Sequence, residues 1–375
     1  MSRPSAVEPQ ARPGIRARLT SSACQSVDRL MYRALRRIFL RQELPVRTSA
    51  ELERSLEICE RYLEPANLAD PDRLFAAAER PPALVPAQRK EVPGGSFAHY
   101  RFATPYEPVA REYADEYRSY DGLDTAHFFA WRHLRRAPAS LLLLHGWGVG
   151  DRRLHEVEFN IGTLFRRLGL DVYFYVAPFH GLRKPARARY SGELHPSVHL
   201  VRTNEAFIQT ARELRTIVGL IRNFSDAPIG VMGSSLGGYT TALLASLDDR
   251  LSFAAPIIAP ASLASLFWEH GSGESLLMQV EALGLSRERF IRAWSIHSPL
   301  SHRPRVPLER RLVIAASDDV LVTPPHVEEL WRHWGRPRRF EFTGGHILQV
   351  RRGDYVDELE LFLRAQLRSI DRRDG

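Results

Sequence analysis

Cysteine is scarce. Of 375 residues only Cys24 and Cys59 carry a thiol, and their positions show no metal-ligand spacing, which argues against a disulfide framework and a zinc site. Long apolar runs are missing too. No stretch reaches eighteen apolar residues, so no membrane-spanning helix is expected. The nearest candidate, 253–268, is interrupted by Pro256 and Pro260. Residues 1–22 lack the apolar middle of a secretory leader, which leaves the cytoplasm as the expected compartment. Neither an aromatic-studded basic sheet nor a recognition-helix pattern occurs, so nucleic acid is not an expected partner. There is no internal repeat.

What is there reads as a soluble globular chain, 44% hydrophobic and 26% charged. It is long enough to bury a large core and carry an extra segment. The net charge of +8 is unevenly placed. Residues 1–43 hold nine arginines against Glu8, Asp28 and Glu43, so most of the excess sits in this N-terminal stretch and says little about a substrate pocket.

Residues 1–22, rich in Pro, Ser and Arg, read as disordered. From Ser26 the spacing predicts a helix with Leu30, Met31, Ala34, Leu35, Ile38 and Phe39 on one stripe and Arg29, Arg33, Arg36 and Arg37 largely off it. Such a basic amphipathic helix either docks on the rest of the domain or makes peripheral contact with an anionic membrane. A second helix is expected over 50–62, followed by a proline-punctuated connection over 65–93. The extension thus covers residues 1–93, and residues 94–375 form the main domain.

In that domain, 99–104 and 127–133 read as antiparallel strands. The run 140–145, Ser-Leu-Leu-Leu-Leu-His, suits a strand buried on both faces. A helix over 154–168 and a strand over 171–177 complete a β-α-β unit. The loop 178–196 carries Arg183, Lys184, Arg187 and Arg189, read as solvated surface charges, with a substrate phosphate or carboxylate as the alternative. A long helix (201–223) precedes the strand at Ile229, and 253–259 is another buried strand. The segment 261–300 breaks the strand–helix rhythm and reads as a helical lid insertion. Strands at 311–316 and 339–343 and a helix at 354–367 follow. The expected fold class is α/β: a mostly parallel, doubly wound sheet with helices on both faces.

The chemistry concentrates at 229–243, where a short apolar strand runs into Gly233-Ser234-Ser235-Leu236-Gly237 and then a helix. A serine on so sharp a turn projects its hydroxyl above the sheet, and glycines two residues either side let strand and helix approach. Ser235 has those glycines; Ser234 has Met232 and Leu236 instead and is the poorer nucleophile. Acyl transfer also needs a base, an acid to orient it and donors for the oxyanion. After the strand 312–316 come Asp318 and Asp319, of which Asp319 better fits the offset from the turn at 322–325. After 340–342 come Gly344-Gly345-His346, the glycines turning the loop so that the imidazole reaches the serine. Small residues in His145-Gly146-Trp147-Gly148 let the Trp147 amide join that of Leu236 as an oxyanion hole. The Trp147 side chain either walls the acyl pocket or simply packs.

With the order Ser235, Asp319, His346, the stretch from about residue 97 to 370 resembles the α/β-hydrolase superfamily, on its dienelactone-hydrolase and abhydrolase-domain side. Residues 178–185 and 233–238 further resemble the alpha/beta hydrolase domain-containing protein 18 family and its bacterial relatives. The resemblance implies serine-dependent hydrolysis with no metal or organic cofactor, and it names no substrate. The lid's apolar character favours a small-molecule or lipid acyl ester. A peptidase or acyltransferase with the same residues, or a non-catalytic scaffold docked through its basic helix, are the alternatives.

Overall fold

The computed structural model describes residues 15–39, 45–272, 274–350 and 352–371. Its centre is a nine-stranded sheet in the order β1-β2-β3-β5-β4-β6-β7-β8-β9. These are β1 (Val85–Val92), β2 (Gly95–Ala103), β3 (Thr125–His133), β4 (Ser140–Leu144), β5 (Asp171–Val176), β6 (Ile229–Ser234), β7 (Leu251–Ile257), β8 (Leu312–Ala316) and β9 (Arg338–Phe342). β1, β2 and β3 pair antiparallel, and β3 joins β5 antiparallel. From β5 to β9 every pairing is parallel. β4, β5 and β6 are buried at every position, as strands covered on both faces must be.

The helices are α1 (Ile15–Phe39), α2 (Ser49–Tyr62), α3 (Pro65–Ala69), α4 (Asp72–Phe75), α5 (Ala114–Arg118), α6 (Arg152–Glu158), α7 (Leu200–Phe224), α8 (Leu236–Leu247), α9 (Leu263–Gly271), α10 (Ser275–Ala282), α11 (Arg287–Ala293), α12 (Pro324–His333) and α13 (Arg352–Asp371). Alternate residues of β4 sort them onto two faces. Leu142 and Leu144 pack with Leu214 of α7, Leu244 of α8 and Leu330 of α12. Leu141 and Leu143 pack with Leu164 and with Leu359 and Phe362 of α13. A third cluster above the sheet joins α2, the front half of α7 and the segment α9–α11.

Four expectations change. Residues 15–22, read as disordered, belong to α1; residues 1–14 lie outside the described residues. The supposed connection 65–93 contains β1, so the sheet begins before residue 94. β1 has no buried position, hence no apolar alternation to betray it, and it tolerates Pro86 as an edge strand does. The helix expected over 154–168 breaks at Asn160, whose φ is +48°, and resumes as a π-helical turn. Arg183 is not a solvated charge. It is fully buried, its guanidinium paired with Glu213 at 2.6 Å and bonded to the carbonyls of Val176 and Leu123. Its loop neighbours are likewise engaged: Lys184 donates to the Ala188 carbonyl, Arg187 stacks on Tyr120 and Arg189 pairs with Glu193. Both cysteines are buried and free.

Candidate active site

β6 ends at Ser234 and α8 begins at Leu236, leaving Ser235 alone in the corner with φ +56° and ψ −116°. A non-glycine residue held there stores strain, on the order of 1–3 kcal/mol, that the flanking strand and helix must outweigh. The Ser235 amide is spoken for, donating to the Ile257 carbonyl at 2.9 Å. The neighbouring glycines are required by space. A Cβ on Gly233 would stand 2.3 Å from the Gly237 oxygen, and one on Gly237 would stand 2.0 Å from the Leu144 oxygen.

Two further groups reach this corner from two different loops. His346, after β9, places Nε2 3.0 Å from Ser235 Oγ. Its Nδ1 lies 2.7 Å from Asp319 Oδ2, after β8. The second oxygen of Asp319 accepts from the amides of Leu321 and Val322 at 2.8 and 2.7 Å, so the carboxylate cannot swing. A carboxylate only accepts, so Nδ1 carries the proton and Nε2 is left as acceptor for the serine hydroxyl. Burial works against protonating His346. The charge and hydrogen bond of Asp319, with Asp28 and Glu158 further off, outweigh it and hold the imidazole above its ordinary value. Asp318 faces the other way, bonded by the Ser21 and Ser317 hydroxyls.

The loop after β4 crosses the corner closely. A Cβ on Gly146 would sit 3.7 Å from Ser235 Cβ. His145 braces that loop: its Nδ1 meets the Gly146 carbonyl at 2.8 Å and its Nε2 accepts the Ala177 amide at 3.1 Å. Burial first, then neighbouring histidines, push its pKa well down, so it stays neutral in this role. Leu236 is the first residue of α8, where amides have no acceptor within the helix. Beside Ser235 opens a cavity of about 630 Å³, walled by Trp147, Leu266, Phe267, Leu277 and Val280 among others. Trp147 thus walls the cavity and is also anchored, its indole N–H donating to the Gly192 carbonyl at 2.8 Å. Among the described residues no group of three His, Cys, Asp or Glu could hold a metal ion.

This arrangement occurs on a known scaffold. An acetyl xylan esterase from Paenibacillus sp. R4 superposes with a TM-score of 0.56 at 14% identity, covering 86% of this chain and 96% of that one. An acetyl xylan esterase from Thermoanaerobacterium sp. JW/SL YS485 gives 0.55 at 13%, covering 78% and 92%. The chain has the α/β-hydrolase fold.

In sequence, the mycobacterial protein MT2702 (Mycobacterium tuberculosis, strain CDC 1551 / Oshkosh) is 29% identical over 311 residues, 80% of this chain and 71% of its own. No protein-family model matches. The α/β-hydrolase fold places the loops after β4, β6, β8 and β9 at one end of the sheet, where open α/β sheets hold their sites. One contributor lies outside that set. Asp28, on α1, is fully buried against the His346 loop, its carboxylate accepting the His346 and Ile347 amides. Nothing in the sequence marks it. It lies 318 positions from its partner, in a stretch whose apolar pattern points elsewhere.

Proposed function

We propose that this chain is a serine hydrolase that cleaves carboxylic esters of apolar acyl groups through an acyl-enzyme. The observation that carries the reading is the Ser235 Oγ to His346 Nε2 approach of 3.0 Å, with Asp319 on the far side of the ring at 2.7 Å. His346 takes the serine proton as Oγ attacks the ester carbonyl. The amides of Leu236 and Trp147 receive the oxyanion, and the proton then passes to the departing alcohol. Water enters, is deprotonated by the same imidazole, and releases the acid. Asp319 fixes the tautomer throughout. No metal or organic cofactor enters these steps.

The apolar walls of the cavity favour an extended acyl chain over the acetyl group named for the two structural neighbours. The test is labelling by a fluorophosphonate probe with Ser235→Ala as control, followed by turnover of p-nitrophenyl esters. Labelling of the native chain alone is expected, and Ser235→Ala should lose on the order of 10⁶ in turnover. Absence of labelling in folded native protein overturns the reading. A preference for p-nitroanilides over esters would make it a peptidase.

A second proposal concerns α1. Val27, Leu30 and Met31 are exposed on it beside Arg29 and Arg33, a composition suited to peripheral contact with an anionic lipid surface. Co-sedimentation with vesicles rich in phosphatidylserine, lost in Leu30→Glu, is the expected result.

A further inference from the structure

We propose that Asp28 is a positioning residue for His346, so that α1 is a working part of the catalytic apparatus. The inference rests on the serine-hydrolase reading above. The loop from Thr343 to Val350 has no regular structure, and loop backbone must find its hydrogen bonds somewhere. Part of the loop is satisfied by backbone: the Gly345 amide donates to the Leu348 carbonyl at 3.0 Å, and the Gly344 carbonyl takes the Asp318 amide, from the loop after β8, at 3.0 Å. The two amides nearest the imidazole do neither. Those of His346 and Ile347 donate to the two oxygens of Asp28 at 2.5 and 2.9 Å. A buried carboxylate holding two consecutive amides fixes the backbone from which the imidazole projects.

The loop is built to admit this group. Gly344 and Gly345 were expected to supply backbone freedom, yet neither adopts a positive φ. Gly345 is needed for space, because a Cβ there would stand 2.3 Å from Asp28 Oδ2. The helix is in turn held in register. Ser21 bonds Asp318, Gln25 reaches the same carboxylate at 3.5 Å, and Cys24 is fully buried between them. Positions 21, 25 and 28 form one helical face, so this polar stripe is the docked side of α1, while Leu30 points to solvent. One turn on, the Tyr32 hydroxyl donates to the His270 carbonyl of α9. α1 therefore touches the catalytic loop and the cavity wall at once.

Asp28 also bears on the charge of the ring. The carboxylates acting on His346 are Asp319 from the β8 loop, Asp28 from α1 and Glu158 from α6. Each favours the imidazolium. Neutralising Asp28 should therefore lower the pKa of His346 and move the rising limb of kcat/KM to lower pH, while the loosened loop lowers kcat.

The experiment uses the full chain with a soluble p-nitrophenyl ester. Asp28→Asn keeps the shape but presents an amide donor to one backbone N–H and loses the charge. Expected are a fall in kcat of about 10- to 100-fold, the scale of a small misplacement of a catalytic group, with KM nearly unchanged, and the rising limb displaced to lower pH. Ser26→Ala, on an exposed position of the same helix, should behave as native. Native kcat with an unmoved limb overturns the proposal, as does a loss that merely tracks melting temperature and disappears at lower assay temperature. If Asp28→Asn does not fold, Gly345→Ala displaces the carboxylate from the loop side, and native kcat there overturns it equally. NMR titration of His346 in a Ser235→Ala background keeps the two readings apart. It reports the effect of Asp28 even if the chain proves to hydrolyse no ester.

Discussion

A serine hydroxyl is a poor nucleophile until something takes its proton, so on the proposed function the reactivity of Ser235 is set by the imidazole 3.0 Å away. His346 serves only when neutral. Burial lowers its pKa, but the carboxylates of Asp319, Asp28 and Glu158 outweigh burial and raise it above the ordinary value near 6.5. Activity is therefore present above that raised value and lost as pH falls through it. The rising limb of kcat/KM should have its midpoint above pH 6.5, as a pH–rate profile will show. Asp319→Asn removes the carboxylate that acts most strongly on the ring and presents the wrong hydrogen-bonding partner to Nδ1. It should lower kcat on the order of 10⁴, with the residual limb displaced to lower pH. Much at this scale could be read from the chain itself. Ser235 announces itself through Gly233 and Gly237, since only hydrogen fits where Leu144 and Gly237 oxygens press in. His346 and the pair Asp318/Asp319 follow apolar strands. The choice within that pair could be argued only from offset, because what separates them is the hydroxyls that engage Asp318.

Elements divide by how much they bury. β4, β5 and β6 were legible as unbroken apolar runs because both faces are covered, and α7 because 25 residues sustain one period. β1 was not legible, since an edge strand with neither face buried has no pattern to show. In α1 the expected stripe divides: Leu30 is exposed, Met31 lines the cavity, Ala34, Leu35, Ile38 and Phe39 lie outside the described side chains, and the buried positions are Cys24 and Asp28. On the proposed function the segment α9–α11 is where acyl specificity would be set, because Leu266, Phe267, Leu277 and Val280 are all cavity wall. Leu277→Trp should shorten the accessible cavity. Across a p-nitrophenyl series, kcat/KM for long acyl chains should fall roughly tenfold or more, the scale of one or two lost methylene contacts, while short esters keep their rate. Equal loss for all lengths would place Leu277 outside the acyl path.

At the scale of the whole molecule, the stretch before residue 94 resembles a removable appendage only on paper. Leu52, Leu56, Cys59 and Tyr62 of α2 are buried in the cluster that also holds Phe207 and Trp294. The Tyr62 hydroxyl bonds the buried Glu205, which also collects the Tyr106 hydroxyl and the amides of Val109 and Ala110. A chain beginning at Gly94 strips a partner from a buried carboxylate, exposes that apolar face and deletes α1. It should give little soluble protein, with no fluorophosphonate labelling of what is recovered; expression yield and labelling of the two lengths decide this.

The bond between Asp28 and His346 also has an order in time. Its partners lie 318 residues apart, whereas Asp319 and His346 are separated by 27. Closing the longer span costs about 2 kcal/mol more in chain entropy. A ribosome makes α1 well before the His346 loop, so the helix leaves the exit tunnel with its receptor still unwritten. On the assignment of Asp28 made above, a nascent chain can display Ser235 long before it can use it. On that assignment the first turnover waits until α1 and the His346 loop have met.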